Sequence, residues 1–480
     1  MNYKDIIQIL AGHPLIKDIT KWMNSDSKGL QINGLQASGK GMMLNAIQQM
    51  SGAKMLVVME DAETAAYLYN DINRAMLADK YSLLPSSYKK SPKHGGLDLA
   101  SEIMRTDALN IIHKTQDNNK KDNSQLSTLN SQLNNGWLIV TSPEGLIERV
   151  TPQQTFETKR LTIRKGEIVD SEKVIHSLAE WGFELVEFVY EPGQYAQRGS
   201  ILDIFSFSNE RPYRIDFWDD EVESIRVFDI EKQLSINEVE EISILPNVTA
   251  KGDKETISIF NFLPSDTIIC WANMTFAIER INDIYDDTLI KQHSEKNVAD
   301  VLNILINGNI AKEQITNFRH IYLDKRQRTT ESSPKLGEVH EVGRGMLTLN
   351  FNQSAQPPYH KNFDIVADSL RSFINDGYAI HICSDSKKQT DRIASIFDER
   401  GDNIHFTPIE GTIHEGFIDH DLSVCFFTDH QIFDRYHKFS LKSDIAKAGK
   451  VSMTLKEINQ LQIGDYVVHI DHGIGKFAGL

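Results

Sequence analysis

The sequence predicts an α/β protein: a parallel-sheet domain interrupted by an inserted α+β domain, then a small α/β domain and the first strands of another. Three observations carry this. Between residues 30 and 78, strand-like and helix-like runs alternate as Leu30–Asn33, GLQASGKGMMLNAIQQM, Lys54–Met59 and Ala62–Ala78, the pattern of a parallel sheet with helical crossovers. Between 201 and 228, three short strands follow one another across turns with no helix between them. After Pro246 the alternation returns. The expected division is 1–150 and 247–345 for the two parts of the first domain and 151–246 for the insert. Then come 346–445 for the small α/β domain, 446–463 for a linker and 464–480 for the opening of the next domain.

A chain of 480 residues is too long for one core, and its 40% hydrophobic and 25% charged content is ordinary for globular protein. The net charge of −16 gives no sign of phosphate-backbone binding, and no local basic patch compensates for it. No apolar run approaches membrane-spanning length. Cys270, Cys383 and Cys425 lie far apart inside apolar runs, which reads as buried thiols in a reducing cytoplasm. A monomer is the default expectation.

In chain order, Asp5–Asn24 has a helical pattern, and Leu30–Asn33 leads through a glycine-bearing loop into a helix. Thr115–Gly136 is almost wholly Asn, Gln, Ser, Thr, Asp and Lys and reads as a surface loop. Trp137–Thr141 resumes the sheet, and Ser142-Pro143-Glu144 starts a helix with a serine cap and a proline at its first position. The insert begins with a helix, Ser171–Trp181, and a strand, Phe183–Tyr190. Beyond it, Thr267–Trp271 is a strand, while Phe276–Tyr285 and Val298–Ile306 are helical. Met346–Phe351 is a strand candidate between proline-bearing loops. The small domain then reads as helix Ile365–Asn375, strand Tyr378–Cys383, helix Lys387–Arg400, strand Ile404–Phe406 and strand Ser423–Thr428. Lys438–Lys450 is a solvated linker candidate. LQIGDYVVHIDHGIGKFAGL is strand-rich with nothing to pair it, so it reads as the opening of a further domain.

The stretch from Glu191 to Asp229 is the organising feature. Ile201–Phe207, Tyr213–Trp218 and Glu221–Phe228 read as strands joined by Asn209–Pro212 and Asp219-Asp220 turns. Alternation puts Tyr213, Ile215 and Phe217 on one face, and Arg214, Asp216 and Trp218 on the other. A bare tryptophan beside an arginine on a stiff sheet is what an interface anchor looks like. The other reading is that a neighbouring element of the same domain covers Trp218, and the pattern does not choose between them.

Gly34–Gly41 fits the phosphate-loop pattern G-x-x-x-x-G-K, with Gly34, Gly39 and Lys40 in register between a strand and a helix. The position that should carry a magnesium-holding hydroxyl is Gly41, and no acidic pair ends a sheet strand, since Thr267–Trp271 runs into Ala272-Asn273. Either the glycines are kept for the strand-to-helix turn, the favoured reading, or the loop retains some nucleotide affinity. Hydrolysis is not expected. His469 and His472 have ligand-like spacing, as do His414 and His420 more loosely, but no Cys or paired carboxylate completes a set, so no metal is expected.

GQYAQRGSILDIF followed by PYRIDFWDDEVESIRVFD resembles the signature shared by the excision-repair protein UvrB and the bacterial transcription-repair coupling factors (Mfd). GDYVVHIDHGIGKFAGL is similar to the start of the RNA-polymerase-interacting domain of the coupling factors, a relative of CarD-type, SH3-like modules. FNQSAQPPYHKNFD and DHQIFDRYHK resemble the domain between the two. The resemblance implies the N-terminal part of a coupling factor: a degenerate RecA-like (P-loop NTPase-like) domain, an inserted domain that binds UvrA, and a truncated RNA-polymerase-binding domain. It places the UvrA contact on Arg198, Arg214 and Trp218, the last more often Phe in that family. It further implies no cofactor for this segment, with ATP, magnesium and DNA belonging to motor domains beyond it. Two rivals stand against this: a phosphate-loop ATPase, and a UvrB-like protein gripping damaged DNA with an aromatic hairpin. For the second, the stretch after Tyr81 offers only Tyr88 beyond Tyr81 itself.

Overall fold

Seven strands build the first sheet, and their apolar runs explain why it is buried. They are β1 (Gly29–Asn33), β2 (Lys54–Val58), β3 (Tyr81–Leu84), β4 (Trp137–Thr141), β13 (Ile268–Trp271), β14 (Arg319–Leu323) and β15 (Leu347–Asn350), with β5 to β12 contributed by the insert. All pairings are parallel, in the order β15-β1-β14-β13-β2-β4-β3. Every residue of β2, β4 and β13 is buried, as expected where helices cover both faces of a parallel sheet. The computed structural model describes residues 1–75, 80–87, 99–121, 136–209, 211–230, 232–246, 256–293, 304–323, 346–435, 464, 466–469 and 473–476.

The chain divides into one unit of Met1–Arg160 with Asn247–Leu441 and a second of Leu161–Pro246 with Lys442–Leu480. Residues 151–160, read from the sequence as part of the insert, stay with the first unit. There Val150 bridges Ile257, and the Gln153 side chain donates to the Phe262 carbonyl at 2.7 Å. Strand β15, assigned by sequence to the small domain, is the edge strand of the first sheet.

The helical pattern over Asp5–Asn24 resolves into two helices, α1 (Tyr3–Ala11) and α2 (Leu15–Met23), because Gly12-His13-Pro14 interrupts the backbone ladder. Helices α3 (Gly39–Ser51) and α4 (Ala62–Ala75) follow β1 and β2. Helix α5 (Leu99–Lys121) runs through the first part of the polar stretch expected to be a loop; residues 122–135 lie outside the described residues. It is held by a buried arginine that the sequence reading passed over. Arg105 donates to the carbonyls of Pro85, Gly145 and Glu148 at 2.8 to 3.0 Å, and its Nε lies 3.6 Å from the Glu148 carboxylate.

The small domain has a five-stranded sheet, β16-β19-β20-β17-β18, from Gln353–Ala355, Phe417–Asp419, Val424–Thr428, Ala379–Ser384 and Thr407–Glu410 respectively. Its last parallel strand is Thr407–Glu410 where Ile404–Phe406 was expected, and β16 and β19 were too short to read. Helices Phe363–Asn375 and Lys387–Arg400 pack on it over Leu370, Ile382, Phe397 and Phe427. A second set, Ile409, Phe417 and Phe426, joins Ile6, Met42 and Leu68 in the core of the first domain, so the two α/β domains share one apolar interior. All three cysteines are buried, and burial raises their thiol pKa values, that of Cys425 to about 12. No described helix is long and apolar enough to cross a membrane.

The insert is a six-stranded sheet in the order β11-β10-β9-β8-β7-β6 beside a β12-β5 pair. Its strands are β5 (Leu161–Arg164), β6 (Glu184–Leu185), β7 (Gln194–Arg198), β8 (Ile201–Phe205), β9 (Tyr213–Trp218), β10 (Glu221–Phe228), β11 (Ser235–Glu238) and β12 (Glu241–Ile244). Only two residues of the expected Phe183–Tyr190 strand pair, and β7, β11 and β12 had not been read. Leu202, Ile204, Ile215, Phe217 and Ile225 face helix Ser171–Glu180, which is capped by Asp170 and packs through Val174 and Leu178. Tyr466–His469 (β21) and Gly473–Lys476 (β22) pair as an antiparallel hairpin.

His320 on β14 gives the first unit a pH response. Trp271 Nε1 donates to its Nδ1 at 3.0 Å, which requires a neutral acceptor nitrogen, and burial lowers its pKa from 6.5 to about 4. Between those values the unfolded chain holds a proton that the native ring refuses. Stability is therefore full above 6.5, declines as pH falls towards 4, and loses roughly 3 kcal/mol at most. Urea midpoints measured from pH 7 to 4 should follow that slope, and His320→Gln should flatten it.

Candidate protein-docking site

The second face of the insert's sheet carries the residues singled out from the sequence. In β8, Leu202 and Ile204 point into the main core, so Asp203 and Phe205 point the other way. In β9 the same alternation sends Tyr213, Ile215 and Phe217 inward and Arg214, Asp216 and Trp218 outward, as expected. Register places Asp203 directly opposite Arg214 on one side and Ala196, two residues from Arg198, on the other.

Trp218 is 74% exposed, which decides between the two readings of it in favour of an open indole. It sits at the end of β9, where Asp219 turns the chain with φ +57°. Arg214 does not stand free. Its Nε and Nη2 donate to the two carboxylate oxygens of Asp203 at 2.8 and 2.9 Å, and its Nη1 donates to the Gln233 carbonyl at 3.2 Å. Its guanidinium lies 4.6 Å from the Phe228 ring centroid, and only 15% of its side chain is exposed. Hydrogen bonding to Asp203 raises its pKa.

Arg198 reaches the same carboxylate through Nη2 and donates Nη1 to the Glu187 carbonyl at 3.0 Å, with its guanidinium over Phe188. About a third of its side chain remains open, at 35%. The structure thus brings Arg198 and Arg214 together on one buried anion, Asp203, which the sequence reading missed. The signal was available: Asp203 is the lone acid in the apolar strand ILDIF. Trp218 lies four residues from Arg214 along the strand, about 13 Å away. Exposed Phe188, Tyr190 and Leu234 stand on the loops that the two arginines hold.

The glycine-rich loop is intact in shape and already occupied. The Gln36 N–H donates to Gln353 Oε1 at 3.2 Å, and the Ser38 N–H donates to the Glu415 carbonyl at 3.4 Å. The Glu415 N–H donates back to Ser38 Oγ at 2.9 Å. The Gly39 and Lys40 amides turn onto the loop's own Gln36 and Ala37 carbonyls. These are the donors that would cradle phosphates in a nucleotide-binding loop. Beside them, the Phe351 carbonyl fills the space a side chain at Gly34 would need, and Gln353 with Phe417 fills that at Gly39. Gly41 is buried against Leu68. After β13, Asn273 caps the next helix by accepting from the Phe276 N–H at 3.0 Å, where a motor would carry its acidic pair. Asp61 accepts from Thr64 N at the start of α4, and Asp398-Glu399 lie within helix Lys387–Arg400.

Gln353 also donates Nε2 to buried Asp419 at 2.9 Å. Near it, His13 Nε2 lies 3.3 Å from Asp421 and 3.9 Å from Asp419. The Leu15 N–H donates to His13 Nδ1, which leaves the ring proton on Nε2 facing the carboxylates. That tautomer makes the triad a hydrogen-bonded anchor and unsuits it as a metal-ligand set. His414 stacks on Tyr67 at 3.5 Å, and His420 bonds Ser354 and Tyr378, so these two serve packing. His472 and residues 88–96 of the stretch after Tyr81, weighed for a DNA-gripping hairpin, lie outside the described residues.

Two family comparisons match segments of the chain: the UvrB interaction domain over residues 161–249, and the CarD-like/TRCF RID domain over 461–480. The transcription-repair-coupling factor of Bacillus subtilis (strain 168) is 24% identical over 422 residues, covering 74% of this chain and 35% of that protein. That of Staphylococcus aureus (strain MRSA252) is 23% identical over 406 residues, covering 72% and 34%. The matched region is therefore about a third of the length of these relatives.

If the loop's glycines are kept for the seating of Phe351, Gln353 and Phe417, a methyl group there should be costly without any nucleotide. Gly34→Ala, at φ +83°, and Gly39→Ala should each lose about 2 kcal/mol or more in urea denaturation of the apo protein. A loop retained only for nucleotide would leave apo stability unchanged.

Proposed function

We propose that this chain corresponds to the N-terminal part of the transcription-repair-coupling factors and is a non-catalytic recruitment module of nucleotide excision repair, a reading supported by its similarity to those proteins. The insert, 161–246, docks UvrA. The segment from 464 opens the domain that engages RNA polymerase, and the parent protein, a cytoplasmic ATP-dependent DNA translocase, displaces polymerase stalled at a lesion. The observation that carries the docking role is the open indole of Trp218 on a six-stranded sheet, in line with two arginines fixed on the same face. A large aromatic held rigid in water contributes binding area at low entropic cost, and Trp with Arg are the residues that most often dominate protein interfaces.

The non-catalytic role draws on the loop. Its Gln36 and Ser38 amides are committed to Gln353 and Glu415, its Gly39 and Lys40 amides to the loop itself, and Gly41 offers no hydroxyl to magnesium. ATP and magnesium therefore belong to other parts of the parent protein, and this segment takes no cofactor.

UvrA capture by the purified chain tests the docking role. Trp218→Ala and Arg198→Glu should each weaken it about tenfold or more, with the thermal midpoint of Trp218→Ala unchanged. Undiminished capture by the double variant would overturn the assignment. A thermal-shift titration tests the loop. A ligand at a hundred times its Kd stabilises by about 2.7 kcal/mol. We expect no shift with magnesium-ATP at millimolar concentration and no turnover.

A further inference from the structure

We propose that Asp203 is the positioning residue of the docking face, an inference that rests on the docking role given above. Its carboxylate is fully buried, so no partner can touch it. It nevertheless accepts from both arginines, through two bonds from Arg214 and one from Arg198. Each guanidinium passes the constraint outward to a different loop, Arg198 to the Glu187 carbonyl and Arg214 to the Gln233 carbonyl. Gln233, held at φ +56°, then donates its side-chain amide to the Val189 and Ile230 carbonyls, closing the circuit between those loops. Phe188, Tyr190 and Leu234, all exposed, ride on this frame.

The charge arithmetic also favours a positioning role. Two guanidiniums on one carboxylate leave a net positive charge whose open side is the 35%-exposed Arg198. Without the buried anion, each guanidinium would keep one backbone acceptor, Glu187 or Gln233, and the two cations would repel with no shared charge to hold them together. With it, the Arg198 guanidinium is fixed in place with about a third of its side chain open to a partner, and a charged guanidinium makes its strongest hydrogen bonds to a carboxylate. The partner surface that fits has an acidic side chain opposite Arg198 and an apolar recess for the Trp218 indole.

The test is a double-mutant cycle in UvrA affinity on the intact chain, with thermal midpoints measured alongside. Asp203→Asn keeps the shape and removes the charge. It should weaken binding about tenfold, as Arg198→Ala does, and the double variant should be no more than about twofold weaker than the worse single, because both changes remove the same oriented group. A purely structural role would lower the midpoint and leave the affinity of the folded protein intact. Parental affinity in folded Asp203→Asn, or losses that multiply in the double variant, overturns the proposal. If Asp203→Asn does not fold, Arg214→Lys carries the test: it keeps the charge and loses the two-point contact. Clearly weakened binding by a folded Arg214→Lys supports the proposal, and parental binding overturns it. If Arg198→Ala and Trp218→Ala both bind as the parent does, the docking role itself fails, a result distinct from failure of the positioning role alone.

Discussion

A backbone amide taken out of water must find an acceptor, and in this protein the Gln36 and Ser38 amides of the glycine-rich loop find theirs in the neighbouring domain. Gln353 is the link. Its Oε1 receives the Gln36 amide while its Nε2 bonds buried Asp419, so a single side chain joins the loop to the small domain's own interior. Asp71 of α4 accepts the His414 N–H at 2.8 Å, and Tyr67 stacks on the same histidine. With those contacts in place, Phe417 and Phe426 complete a core begun by α1 and α3. Two α/β domains that the sequence presents as consecutive thus behave as one packed body. The edge strand β15 leaves the first sheet to enter the second domain directly at Phe351, whose carbonyl sits over Gly34.

The insert solves a different problem, that of keeping polar groups ordered on a face that must stay open to water. Its inner face is a conventional apolar core against one helix. Its outer face has only a small apolar cluster, Val189, Ala196, Phe205, Phe228 and Ile230. A buried carboxylate with two arginine partners supplies the order that so few apolar groups cannot. Burying an ion pair gives little net stability, but it specifies geometry, and removing one member leaves an uncompensated charge. The guanidiniums lying over Phe188 and Phe228 extend the same arrangement into the aromatic side chains. Trp218, beyond this network, depends on strand stiffness and the hairpin turn for its position.

Much of this was legible in the sequence, and what was not has physical causes. The parallel sheet, the glycine loop and the facing of Arg214 and Trp218 all follow from local periodicity, which the alternation of strand residues states directly. Helix Lys387–Arg400 was read to the residue because Gly401 stops it in a left-handed turn. Several of the missed elements exist only through partners. Strands β16 and β19 have three residues each, and β11 is exposed along its whole length, so none carries an apolar period of its own. Helix α5 overrides a polar composition because its first half is buried around Arg105, a tertiary effect invisible in a window of sequence. The site was legible in its exposed member and misleading in its charged ones. Alternation says which face Arg214 occupies, but not that a carboxylate eleven residues earlier has already claimed it.

The glycines of the loop answer to the same packing. In a nucleotide-binding loop, glycines serve to let backbone approach phosphate closely. Here Gly34 and Gly39 let backbone approach protein instead: a carbonyl at one position, a carboxamide and an aromatic edge at the other. The steric requirement is the same, so the packing alone calls for glycine at both positions. Position 41 shows where the two requirements part. A hydroxyl there would serve a metal, but the Cβ would stand 3.0 Å from Leu68 Cδ1, in the core that seats the second domain. Glycine satisfies the packing and forfeits the metal. In this structure the motif is a joint between the two α/β domains.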